Sequence, residues 1–232
     1  MEFTLEQQII HRLLLCSSIE RNPGLYHGKI GLILFFANYF ELAENPVFED
    51  TGDELMEELM EEIHKGLPIG FESGLSGIGW GVEYLIQNSF VKGDSLEVCE
   101  EIDKKMMATD PRRITDYTVE TGLGGILHYV LAHIKGVMSQ HSELPFDKIY
   151  LKDLYSAVTN NLRNNEISND VRLLILKYIS FYENKVKLDY SLDLSFVVGD
   201  AKIEKEKLNS FPLGLKKGLS GILLKKLIMN RL

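Results

Sequence analysis

The sequence predicts an all-α protein, an α/α-toroid (barrel) of about five helical hairpins, from three observations. A G-x-x-G motif followed by an apolar run recurs, with first glycines at Gly28, Gly74, Gly122 and Gly218. These glycines are 46, 48 and 96 residues apart, and 96 is twice 48, so a further unit is implied at residue 170. Between the motifs lie amphipathic stretches of helical period.

Taken in chain order, IIHRLLLCSSI reads as a first outer helix carrying Cys16. LYHGKIGLILFFANYF, from Leu25, then opens an inner helix whose run Ile30 to Phe40 is apolar nearly all round, the mark of burial on most sides. DELMEELMEEIHK reads as an outer helix: Leu55, Met56, Leu59, Met60 and Ile63 share one face and acids fill the other. ESGLSGIGWGVEYLI, from Glu72, is the second inner helix, and LEVCEEIDKKM, with Cys99, the outer helix after it. ETGLGGILHYVLAHI, from Glu120, is the third inner helix. In the implied unit, SNDVRLLILKYI, Asp170 and Leu173 replace the glycines while the run Leu173 to Ile179 stays apolar. Residues 186–200 alternate in polarity and suggest an extended connector, and KKGLSGILLKKLI, from Lys216, closes the series. The whole chain, 1–232, is read as one domain.

The residue before each first glycine is His27, Ser73, Thr121, Asn169 or Lys217, and three of these five types are good N-caps, so the motif is expected to open its helix there. Glycine in a first turn costs up to about 1 kcal/mol against alanine, and close approach of neighbouring backbones is the simplest compensation. Helix N-termini converging on one end of a ring would favour anionic groups, for example a carboxylate-bearing peptide. Closure is favoured over an open stack because the last unit ends on leucines and isoleucines that need cover. Residues 49–62 hold eight acids and no base, and residues 211–232 five bases and no acid, a weaker sign of the same closure.

With 45% apolar and 25% charged residues the chain is of ordinary globular composition. A net charge of −9 has the wrong sign for a nucleic-acid partner. The longest uncharged stretch, 121–134, is too short for a membrane span, and the N-terminal MEFTLEQQII lacks the basic start of a secretory signal. Two cysteines cannot staple a chain of this size, and a cytoplasmic location is expected.

HGKIGLILFF at 27–36, GLSGIGWGVEYL at 74–85 and GLGGILHY at 122–129 resemble the lanthionine synthetase C-like (LanC-like) family. The resemblance implies an α/α-barrel and, in the synthetases, a zinc-dependent cyclase that adds cysteine thiols to dehydrated Ser or Thr of a precursor peptide. Their zinc is held by two cysteines and a histidine, the second cysteine in a C-H-G motif. Here the only H-G is His27-Gly28, preceded by Tyr26, and both cysteines fall on outer helices as packed thiols. The chain therefore resembles a shortened relative with no metal site and no cofactor, binding a peptide or a peptide-modifying enzyme.

The candidate site is the set of helix openings: Tyr26, His27, Glu72, Ser73, Glu120 and Thr121, with Trp80 and His128 one turn or two inside. Glu72 and Glu120 fall in successive units and form a possible acid/base pair, the basis of an alternative reading as a metal-independent hydrolase or lyase acting on carbohydrate. Against these stand plainer roles: carboxylates complementing helix dipoles, Trp80 as core, and His128 as a satisfied core histidine, since Leu34, Leu176 and Leu224 occupy its equivalent positions. GLSGIGWG is not preceded by a strand and recurs without its third glycine, which excludes a dinucleotide loop.

Overall fold

The computed structural model describes residues 3–63, 66–162, 164–184 and 188–231, and among them there is no β-strand. The α-helices are α1 (Leu5–Cys16), α2 (Lys29–Ala43), α3 (Pro46–Ile63), α4 (Leu75–Gln87), α5 (Ser95–Val98), α6 (Glu100–Met107), α7 (Leu123–Gln140), α8 (Lys148–Asn161), α9 (Asn169–Asn184) and α10 (Leu219–Arg231). The chain forms two compact units, one from Met1–Lys65 with Asp193–Leu232 and one from Gly66–Leu192. No helix of the described residues is long and apolar enough to cross a membrane.

In the first unit α2 is the hub. Every residue from Lys29 to Phe36 is buried, as the unbroken apolar run requires. α3 covers it with Phe48, Leu55, Leu59 and Ile63 and turns most of its acids outward. Full burial of each such side chain contributes about 1.5–3 kcal/mol. Lys29, at the first turn of α2, is buried and reaches Glu58 at 2.7 Å and Glu62 at 2.9 Å on α3. α1 begins on a capping box in which Thr4 and Gln7 bond each other's backbone N–H. α10 packs on both α1 and α2, so the end of the chain meets its beginning.

In the second unit α4 and α7 are the two buried helices and pack on each other. α6 covers α4, and α9 packs on both α7 and α8. The single helix expected around Cys99 is broken there: Cys99 ends α5 and starts α6. α9 departs from the expected inner type: Val171, Leu174, Ile175, Tyr178 and Phe181 are buried, while Leu173 and Leu176 are 57% and 46% exposed. It is an amphipathic helix with one covered face. Of the expected connector, 186 and 187 lie outside the described residues; residues 188–193 are irregular and Leu194–Phe196 is a single 3-10 turn.

Candidate functional site

The glycine motif works differently from side-chain capping. Gly28, Gly74 and Gly122 are themselves the N-caps of α2, α4 and α7, and no side chain caps those helices. The free N–H groups of the first turn are taken instead by backbone carbonyls of the loop before. Lys29 N–H donates to Asn22 O (2.8 Å), Leu75 to Pro68 O (2.8 Å), Leu123 to Asp116 O (2.9 Å) and Leu219 to Pro212 O (2.8 Å), each seven residues back. The next residue repeats the bond in three cases: Ile30 to Pro23, Ser76 to Ile69 and Ser220 to Leu213. The loop lies flat across the helix end, and only glycine leaves room for it: a Cβ on Gly28, Gly74 or Gly122 would stand 2.1–2.3 Å from a loop carbonyl oxygen. The second glycines Gly31, Gly125 and Gly221 meet loop carbonyls in the same way.

Two corrections follow. Ser73 and Thr121 do not cap α4 and α7, Asn169 is the first residue of α9 rather than its cap, and the N-termini of α2, α4, α7 and α10 are not open anion sites, because loop carbonyls already occupy their donors. In the unit that lost its glycines the ordinary device returns, with Ser168 Oγ accepting from Val171 N–H at 3.3 Å.

Adjacent loops also bond one another. In the second unit Glu72 N–H and Phe71 N–H both donate to Glu120 O at 2.9 Å, which places Glu72 and Glu120 on touching loops. In the first unit Lys216 N–H donates to Tyr26 O, also at 2.9 Å. Four residues before the helix-opening glycine, Gly70 and Gly214 permit this approach: their Cβ would meet Glu120 O at 3.2 Å and the His27 Cα at 2.5 Å. One residue further on, Leu25, Phe71 and Leu215 are buried and anchor the loops.

Of the residues chosen from sequence, His27, Ser73, Glu120 and Thr121 are exposed and Glu72 is half-buried. Tyr26 is buried, with the Lys216 ammonium 4.6 Å from its ring centroid. Thr121 Oγ1 donates to Asp116, tying its own loop. Trp80 is fully buried between Phe71 and Tyr84, and its Nε1–H donates to Tyr190 Oη at 2.8 Å. The same hydroxyl lies 2.8 Å from His128 Nδ1. Burial lowers His128 to about 4 and keeps it neutral. Both rings thus have packing roles on the same tyrosine. Two surface hollows, of about 720 Å3 beside His11, Leu15 and Leu213 in the first unit and about 560 Å3 beside Gln87, Lys135 and Leu188 in the second, are lined by none of the eight residues.

A second constellation, unforeseen, lies inside the second unit. His133 of α7 is fully buried between two carboxylates, with Nδ1 2.6 Å from Glu83 Oε1 of α4 and Nε2 2.8 Å from Asp103 Oδ2 of α6. Tyr129 donates to Asp103 Oδ1 at 2.5 Å, and Gln87 Nε2 donates to Glu83 Oε2 at 2.6 Å. Burial works against charge on His133, yet the hydrogen bonds and charges of Asp103 and Glu83 outweigh it and lift the imidazole to about 9. Burial raises the Asp103 carboxyl. Cys99, buried beside them, is pushed well up by burial and by the charges of Glu83 and Asp103. The signal present in the sequence was an acid, Glu83, in the middle of an otherwise apolar buried run.

A protonated buried thiol is unreactive. Ellman's reagent should therefore titrate Cys16 alone in the native protein and both thiols after unfolding; rapid modification of Cys99 in the folded chain would contradict its placement.

The residues present do not fit the zinc set that the resemblance implies. Cys16 ends α1 and Cys99 separates α5 from α6, so neither belongs to a helix-opening loop. No family model and no curated protein matches the chain.

Proposed function

We propose that the chain is a LanC-like α/α-toroid without the zinc cyclase site, and that its helix-opening loops bind a peptide or a modifying enzyme in a peptide-maturation pathway. The observation that carries the reading is the repeated loop contact. Lys216 donates to Tyr26 as Glu72 donates to Glu120, both from the second residue before one glycine to the second residue before another. The contact that links the loops of α4 and α7 thus recurs between the last inner helix and the first, the relation expected where a ring closes. α10 packing on α1 and α2 supports the same reading.

With the helix N–H groups satisfied, recognition falls to loop side chains. The loops of the first unit present His27, Lys216 and Lys217, and those of the second present Asp116, Glu72 and Glu120. The test is selection from a displayed peptide library on the immobilised protein. Enriched peptides should lose about tenfold in affinity, roughly 1.4 kcal/mol in general terms, on joint Glu72→Lys and Glu120→Lys substitution with unchanged circular dichroism. Failure to enrich any peptide, or equal binding by the reversed variant, would end the reading.

The contact between the Glu72 and Glu120 loops also favours the hydrolase or lyase alternative, in which the two carboxylates share acid/base work. Glu72→Gln with Glu120→Gln separates the two: the alternative requires turnover to vanish, whereas recognition survives the loss of ionisation only.

A further inference from the structure

We propose that Glu83, Cys99 and His133 form a buried divalent-metal site of zinc type that ties α4, the α5–α6 break and α7 together. One donor atom from each of the three residues lies within 4.8 Å of the others. The set is one carboxylate oxygen, one thiol sulfur and one imidazole nitrogen, and the sulfur favours zinc over calcium or magnesium. All three side chains are completely buried and come from three different elements.

The surroundings are arranged as a metal site requires. A ligating histidine normally gives its other ring N–H to a carboxylate, which fixes the ring. With Nδ1 turned to Glu83, the His133 Nε2–H meets Asp103, itself held by Tyr129. Asp103 is thus a positioning residue and not a ligand. Room for the Glu83 carboxylate is built into α7: a Cβ on Gly136 would stand 2.1 Å from Glu83 Oε2. Gln87, bonded to that oxygen and to Ala132 O at 2.9 Å, holds the carboxylate from the other side.

The proton balance is simple. In the metal-free protein His133 carries a proton on each nitrogen and Cys99 is a thiol. A divalent ion takes the Nδ1 electron pair and the thiolate, two protons leave to solvent, and the formal charge of the cluster is unchanged; no redox step is involved. Because every ligand is buried, the ion is structural and does not activate a substrate thiol. The inference is therefore independent of the peptide-binding reading.

The test uses the full chain, stripped with chelator and titrated with cobalt(II) chloride, with metal content of the zinc-reconstituted protein measured by mass spectrometry. One ion per chain and a thiolate-to-cobalt charge-transfer band are expected. Cys99→Ser, close in shape, should remove the band, Cys16→Ser should leave it, and Asp103→Asn should weaken affinity by about 10–100-fold. A folded wild-type protein that takes up no stoichiometric ion overturns the proposal, and so does a band that survives Cys99→Ser and disappears with Cys16→Ser.

Discussion

His133→Leu is expected to destabilise the metal-free protein by about 3–5 kcal/mol, the usual loss when one member of a buried ion cluster is removed. The side chain of Glu83 is 0% exposed and that of Asp103 4%, and His133 is the positive partner of both. Without the imidazole, Tyr129 and Gln87 still donate to them, but two carboxylates remain buried with no counter-charge in the cluster. Urea denaturation of wild type and variant measures the difference. Adding Glu83→Gln and Asp103→Asn to His133→Leu should recover much of the loss, because neutral groups of the same shape carry no uncompensated charge. A single-variant loss below about 1 kcal/mol would show that the carboxylates do not depend on the histidine.

The same cluster sets a pH dependence. His133 stands at about 9 in the folded chain, against about 6.5 for an unperturbed histidine. A group whose folded value is raised stabilises fully below its unfolded value and loses that contribution as the pH rises through the folded one. Stability of the metal-free protein should thus fall between about pH 6.5 and 9, by on the order of 3 kcal/mol. Three groups around His133 act in the same direction. Cys99, Tyr129 and Asp103 are also raised, mainly by burial, so their contributions decline as the pH rises through their own ranges. His133→Leu should flatten the profile between pH 6.5 and 8, below the range in which the unfolded thiol ionises. An equal slope in wild type and variant would assign the dependence to other groups.

The periodic part of the fold was legible because it repeats. Four glycine motifs and the apolar runs after them locate α2, α4, α7 and α10, and the 48-residue step locates α9. What the motif does was not legible, since a carbonyl seven residues upstream leaves no side-chain signature. Part of that signal stood just outside the aligned windows: Gly24, Gly70 and Gly214 four residues before the helix-opening glycine, then Leu25, Phe71 and Leu215. The one-sided burial of α9 is not visible in its apolar run: with Asp170 and Leu173 in place of the glycines, the helix is opened by Ser168 and leaves Leu173 and Leu176 exposed. The His133 cluster joins residues 30 and 50 positions apart. Local periodicity carries no information on such pairs, and Asp103 stands among charged neighbours in EEIDKK.

Gly74→Ala is expected to destabilise the protein by about 3 kcal/mol, a large cost for one methyl group. The backbone at Gly74 has φ −130° and ψ −164°, an extended conformation open to any residue, so conformational strain plays no part. The cost is steric, because the added Cβ would stand 2.1 Å from Pro68 O and 2.8 Å from Gly70 O, both rigid backbone atoms. Relief requires the loop to lift, which breaks the bonds from Leu75 to Pro68 and from Ser76 to Ile69 and disturbs the contact between Glu72 and Glu120. Gly52→Ala supplies the contrast. Gly52 is also buried, but it lies inside α3 with the nearest atom to an added Cβ, Phe36 Cβ, at an ordinary 3.8 Å. There alanine should raise stability by about 0.5–1 kcal/mol through helix propensity alone. Thermal melts of the two variants should move in opposite directions. If both move the same way, the flat loop across the helix end is not what retains glycine at the opening of α4.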